Sequence, residues 1–456
     1  MARDVADGEI IESRDDLVAW LEAGCKPADA FHIGVEHEKI PFYKSDLTPV
    51  PYEGPRGICA LLEGMRERLG WERIEDAGKL IGLLDAVGGA ALSLEPGGQF
   101  ELSGAPLTTV HEIAGELDAH LRCAHAVADS LGIGFLALGV SPKWSLAETP
   151  VMPKSRYRIM SRYMPRVGTR GLDMMFRTAT AQTNFDFSDE ADMVAKLRAG
   201  LALQPVITAL FANSPFTDGA LNGLLSARSE IWRHTDGART GMLPFAFEPG
   251  MGFERYVDYA LDVPLYFVKR DGIYHEVAGA SFRDLLAGRL KALPGERATV
   301  SDWANHLSTI FPEVRVKRYL EMRGADVGPA DRVCALAALT VGLNYDRQAL
   351  AAAGDLVSGW SAAERQTLRD EVPRLGLGAR VAGRDLRTIA REALAIARGG
   401  LARRARRDAE GRDESIYLTP LDEIVAEGRV PAQRWIARFN GAWGRSVDPA
   451  FQEAVI

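Results

Sequence analysis

Two glutamates two residues apart, Glu36 and Glu38 in the run GVEHEKI, are hard oxygen donors of the kind that hold a divalent cation. Alternate side chains of a strand share a face, so the pair stands on one side and Val35, His37 and Lys39 on the other. A second run, LSLEPGGQFELSG (92–104), sets Gln99, Glu101 and Ser103 against Phe100 and Leu102, with Glu95 at the lip of a turn made by Pro96, Gly97 and Gly98. A third, FRTATAQTNFDF (176–187), puts Thr178, Thr180, Gln182, Asn184 and Asp186 on one face as an array of neutral and acidic hydrogen-bonding groups. The fourth, EVRVKRYLEMRGAD (313–326), read as one strand, carries Arg315, Lys317, Tyr319, Glu321 and Arg323 opposite Val314, Val316, Leu320 and Met322. Its single carboxylate among cations suits phosphate groups held beside a metal ion.

Any one such strand is ordinary, since an antiparallel strand commonly has one wet face. Water alone does not call for acids on two strands, amides on a third and cations on a fourth. If the four faces line one concave surface, cation ligands lie next to phosphate-binding cations, the combination that ATP-dependent ligases and phosphotransferases use. Two further clusters accompany them. Arg228 and Trp232, four apart, share a helix face with Arg233 at its edge, and guanidinium forms bidentate pairs with carboxylates. The stretch KSRYRIMSRYMPRVGTRG (154–171) carries five arginines, reads as loop and suits a mobile cover over a charged substrate.

The elements that position these residues alternate. Helices are expected over 13–24, capped at Ser13, and over 110–131, where Val110, Ile113, Leu117, Leu121 and Val127 recur at helical spacing. A strand follows at 133–140, and further helices at 189–212 and 220–235. Beyond about residue 327 the chain is Ala, Leu and Arg rich and reads as a helical supporting region. No Pro/Gly/Ser-rich linker divides the chain, so residues 1–456 read as a single catalytic domain of mixed helix and sheet, with the active-site strands in about 30–326.

Composition excludes several classes. The net charge of −8 argues against a general nucleic-acid binder, whose affinity rests on a basic surface. The basic run RGGLARRARRDAEGR (398–412) reads as a solvated helix face. Four scattered cysteines, Cys25, Cys59, Cys123 and Cys334, form neither a zinc motif nor a disulfide framework. No stretch approaches the roughly 20 uninterrupted apolar residues that span a bilayer. The acidic, mixed N-terminal run has neither a secretion-signal nor a transit-peptide composition, so a cytoplasmic location is expected. Motifs of phosphate-loop NTPases, dinucleotide enzymes, serine hydrolases and zinc proteases are missing.

Taken in order, GVEHEKIPF, LEPGGQFELSG, RYMPRVGTRGLDMMFRTATAQTNFDF, ARSEIWRHTDGARTG and FPEVRVKRYLEMRGAD resemble the glutamate–cysteine ligases of the plant and proteobacterial type, from about residue 30 to the C-terminus. The resemblance implies an α+β, glutamine-synthetase-like fold in which a curved, largely antiparallel sheet forms a funnel flanked by helices. It implies ATP-dependent joining of the glutamate side-chain carboxylate, through γ-glutamyl phosphate, to the amine of cysteine, the first step of glutathione synthesis. Glu36, Glu38, Glu95, Glu101 and Glu321 are then expected to hold Mg²⁺, with Gln99, Lys317 and Arg323 on the nucleotide. Arg228, Trp232, Arg233, Thr178, Thr180, Gln182 and Asn184 are expected to hold glutamate. The expected partners are small molecules only, without nucleic acid or membrane, in a monomer or homodimer. A related ligase with another amine acceptor, and a non-catalytic ATP-binding regulatory protein, are the competing readings.

Overall fold

The computed structural model describes residues 7–456. Its centre is a nine-stranded sheet: β1 (Ile33–Tyr43), β2 (Glu72–Asp76), β3 (Lys79–Leu84), β4 (Ala91–Leu94), β5 (Phe100–Ser103), β6 (Ile133–Leu136), β7 (Thr180–Phe185), β8 (Val314–Val316) and β9 (Leu320–Asp326). The order is β8-β9-β7-β1-β5-β4-β3-β2, with β6 also on β1, and all neighbours run antiparallel.

Register explains why the polar faces converge. Residues opposite each other in an antiparallel pair project to the same side. Glu36 lies between Gln182 of β7 and Ser103 of β5, and Glu38 lies opposite Glu101. Glu321 of β9 is opposite Asn184 and, on its other flank, opposite Arg315 of β8. The four runs singled out by their alternation are therefore neighbours in one sheet, with acids, amides and cations in adjacent columns.

The other face is apolar and carries the helices. Val110–Leu131, Glu190–Leu210 and Ala330–Asn344 pack on the sheet, and Leu386–Arg404 packs on Ala330–Asn344. Phe100, Phe185, Leu102, Val35 and Ile33 are buried in the core between them. Each such side chain contributes about 1.5–3 kcal/mol of transfer free energy. Helix Val110–Leu131 starts where Thr109 Oγ1 accepts from the Glu112 N–H at 3.1 Å while Glu112 accepts from the Thr109 N–H at 2.9 Å, and it stops at Gly132, whose φ is 71°. Helix Glu190–Leu210 is long and apolar enough to cross a membrane, which the sequence reading did not find, yet 89% of its most apolar window is buried inside the fold. It is a core helix.

Four elements differ from expectation. The run 313–326 is a hairpin, not one strand: β8 and β9 are joined over 317–319, with the Lys317 N–H donating to the Tyr319 carbonyl at 2.8 Å. No Gly or Pro marks that turn, and the odd-numbered residues stay on one face because the hairpin register pairs odd with odd. The arginine-rich cover is helical, Ser155–Val167 followed by Gly171–Arg177; Tyr157, Met160 and Met164 bury one side at helical spacing, a pattern hidden by the arginines and by Pro165. The helix expected over 220–235 shrinks to Ala227–Arg233, because Gly223 takes φ of 80° and Ser226 caps the shorter helix. The strand expected over 133–140 ends at Leu136.

The β4–β5 turn is tightly seated. Gly98 has φ of 89°, and a Cβ on Gly97 would lie 2.0 Å from the Phe176 carbonyl oxygen. Because that contact is backbone, Gly97→Ala is expected to cost about 1–3 kcal/mol, seen as a lower midpoint of thermal unfolding. An unchanged midpoint would contradict this packing.

Candidate active site

A cavity of about 110 Å³ opens on the polar face of the sheet. Its lining includes Glu36, Glu38, Glu95, Gln99 and Glu101 from β1 and the β4–β5 hairpin, and Thr178, Thr180 and Gln182 from β7 and the residues leading into it. Arg228 and Trp232 enter from helix Ala227–Arg233, and Arg315 and Arg323 from the β8–β9 hairpin. Eleven of the residues expected from the sequence thus meet Arg315 in one place.

The acids are held by hydrogen bonds from neutral donors. Glu38 accepts from the Thr180 N–H at 2.9 Å, Glu36 from Asn184 Nδ2 at 3.4 Å, Glu95 from the Tyr157 hydroxyl at 3.5 Å, and Glu101 from Ser103 Oγ. Burial, then Glu95 and Glu101, push the Glu38 carboxyl well above the usual carboxylate range. Burial and Glu321 raise Glu36, and burial and Glu101 raise Glu95. Mutual repulsion of this kind is what a bound divalent cation relieves. Among the described residues no three such side chains already converge at metal-binding spacing. The donor set nevertheless fits Mg²⁺, which takes one or two carboxylates and completes its shell with water and phosphate oxygens.

Glu321 stands apart from the other acids. It is fully buried and does not line the cavity. Arg315 Nε lies 2.5 Å, Arg323 Nη1 2.9 Å and Lys317 Nζ 3.3 Å from its oxygens. Burial alone would raise its carboxyl, but Arg315, Lys317 and Arg323 hold it well below the usual range. In this structure it is the counter-ion that gathers three cations, not an open ligand. Lys317, expected on the nucleotide, is likewise buried behind the wall beside Tyr319 and Glu321, and burial with Arg315 lowers its amine to about 8.

Gln99 braces the turn rather than presenting a free amide: Oε1 accepts from the Gly97 N–H at 2.9 Å and Nε2 donates to the Thr178 carbonyl at 2.7 Å. Asn184 is half-buried beside Glu36, outside the cavity lining. Arg228 is buried, donates from Nη2 to the Arg323 carbonyl at 2.9 Å and lies 5.9 Å from the Trp232 ring. Arg233 points elsewhere, pairing with Glu230 at 2.5 Å and Asp370 at 2.8 Å. Arg233→Ala is therefore expected to change the KM of any substrate bound in the cavity by no more than about twofold. A rise of tenfold or more would restore it to the site.

Several lining residues lie outside the individual positions expected from the sequence, although three of them fall in the stretch 154–171 expected as a cover. Helix Ser155–Val167 contributes Arg156, Tyr157 and Met160, and Ser308, Thr309 and Phe311 close the side beside Arg315. Alternation on the sheet carries no information about these, because they come from a helix and from the segment 308–311, outside the central sheet. His37 sits on the opposite face, fully buried, with Nε2 3.3 Å from the Gly328 carbonyl oxygen, as strand parity predicts.

Outside the cavity, the basic run is largely compensated: Arg398 pairs with Asp422, Arg403 with Asp346, Arg404 with Glu414 and Arg412 with Asp408. All four cysteines are free; Cys334 is buried and the others are half-buried.

The sequence model of Glutamate-cysteine ligase family 2 (GCS2) matches residues 32–453. The chloroplastic glutamate–cysteine ligase of Arabidopsis thaliana is 53% identical over 441 residues, covering 97% of this chain and 82% of that protein. Glutamate–cysteine ligase B of rice, also chloroplastic, is 51% identical, covering 97% and 87%. The crystal structure of a glutamate–cysteine ligase from Francisella tularensis in complex with AMP superposes with a TM-score of 0.55 at 13% identity, covering 90% of this chain and 85% of that one, a likeness of fold. These plant relatives overturn the expectation of a cytoplasmic location: they are named as chloroplastic proteins. The expected curved antiparallel sheet flanked by helices is present, and the chain belongs to glutamate–cysteine ligase family 2.

Proposed function

We propose that this protein joins the side-chain carboxylate of L-glutamate to the amine of L-cysteine, with ATP phosphorylating the carboxylate before the amine displaces phosphate. One observation carries the reading beyond family membership: four acids, a row of neutral hydrogen-bonding groups and the pair Arg228 and Arg323 line a single cavity. Glu36, Glu38, Glu95 and Glu101 are the residues that would hold Mg²⁺. When bound, that ion neutralises nucleotide phosphate oxygens and lowers the charge repulsion that opposes phosphoryl transfer.

The chain's own groups do the rest. Arg228, beside the Trp232 ring, binds a carboxylate of glutamate through its planar guanidinium. Arg315 and Arg323, fixed by Glu321, face the transferring phosphoryl group with no reorganisation during the step. Thr180 and Gln182 orient the substrate, and the helix carrying Arg156, Tyr157 and Met160 walls the cavity, limiting water at the acyl phosphate. No covalent nucleophile is required, which agrees with the lack of a reactive Ser/His or Cys/His motif.

Phosphate release measured with ATP, Mg²⁺, glutamate and a panel of amines tests this reading. Release should be greatest with cysteine and yield γ-glutamylcysteine. Preference for a different amine would replace the acceptor, and nucleotide binding without product from any amine would favour a non-catalytic role.

A further inference from the structure

Asp326 closes β9 and is wholly buried. Its Oδ2 accepts from the Asn213 N–H at 2.8 Å and from Ser214 Oγ at 2.6 Å, and its Oδ1 from Ser226 Oγ at 2.8 Å. Each serine passes the restraint on. Ser214 Oγ accepts from the Arg228 N–H at 3.2 Å, and Ser226, the N-cap of helix Ala227–Arg233, accepts from the Ser229 N–H at 3.2 Å. The surroundings are shaped to the carboxylate, since a Cβ on Gly139 would lie 2.5 Å from Asp326 Cγ.

We propose that Asp326 is a positioning residue for glutamate: through Ser214 and Ser226 it fixes the first turn of helix Ala227–Arg233, and with it the Arg228 guanidinium in the cavity. The inference rests on the reading of Arg228 as the holder of a glutamate carboxylate. The carboxylate suits the task because it accepts from three donors at once, one of them a backbone N–H that cannot turn round. An amide offers only one oxygen, so Asp326→Asn turns the Ser226 hydroxyl from donor to acceptor towards residue 326, leaves its proton without that partner and loosens the restraint on the cap while keeping the shape. Asp326 is not part of the cavity lining, so the effect reaches the cavity through Arg228, by its position and by the loss of a nearby negative charge.

The test compares Asp326→Asn, the double variant Ser214→Ala/Ser226→Ala and Arg228→Lys with the unaltered protein, measuring KM for glutamate, cysteine and ATP separately. Asp326→Asn and the double serine variant are expected to raise the KM for glutamate about tenfold while leaving the KM for ATP within about twofold. Should Asp326→Asn not fold, the serine variant, which retains the acid, decides. An unchanged KM for glutamate in both, or equal rises for all three substrates, overturns the role of Asp326. Arg228→Lys separates the layers: if it raises the KM for glutamate while the other two variants do not, only the positioning role falls. If it leaves that KM unchanged, the reading of Arg228 falls and takes the positioning role with it.

Discussion

Glu36→Gln and Glu101→Gln are each expected to leave a folded protein whose ligation rate with ATP, Mg²⁺, glutamate and cysteine drops by on the order of 10³-fold or more. Glutamine preserves shape and hydrogen-bonding reach but removes the charge that a divalent cation needs. Stability should move the other way for Glu36, because burial and Glu321 already disfavour its ionised form. Replacing such a group removes repulsion, the trade of stability against function found at preorganised sites. The check pairs thermal unfolding with steady-state turnover. Near-normal turnover in either variant would remove that acid from the metal set.

Glu321→Gln should fail for a different reason, through the fold. Three cations meet one carboxylate there, and the side chains of Glu321, Arg315 and Lys317 are no more than 5% exposed. Deleting the shared anion leaves Arg315, Lys317 and Arg323 repelling one another with little water to screen them. Loss of one partner of a buried ion pair costs about 3–5 kcal/mol. A large drop in the denaturant midpoint is expected, with activity lost alongside it. Adding Arg315→Met to Glu321→Gln should recover part of the stability by removing one uncompensated charge. A midpoint equal to that of the unaltered protein would show that the cluster is not held together by Glu321.

The contrast between Glu321 and the pair Glu36 and Glu101 also marks how far the sequence could be read. Alternation in GVEHEKI, FELSG and TATAQTNF was enough to place Glu36, Glu101 and Gln182 on one side, because a strand has a fixed period and the register makes opposite residues share a face. Which strands are neighbours is a matter of long-range pairing, and no local pattern encodes it. Parity likewise put Lys317 with Arg323, but not the turn at 317–319 that draws Lys317 back beside Tyr319. Arg233 shared a charge type with Arg228 and nothing more, and it found Glu230 and Asp370 instead. Asp326 was hidden by an irregularity: the register shift between Met322 and Ala325 brings it opposite Thr180, where unbroken alternation would set it on the other face.

The acids' assignment as the cation site of the nucleotide is tested most directly by Mn²⁺ titration, followed by electron paramagnetic resonance, in the presence of a non-hydrolysable ATP analogue. The unaltered protein should bind Mn²⁺ tightly, Mg²⁺ should displace it, and Glu36→Gln and Glu101→Gln should weaken binding by at least about tenfold with the fold intact. Equal Mn²⁺ binding in the unaltered protein and both variants would contradict the assignment and place the nucleotide's cation elsewhere.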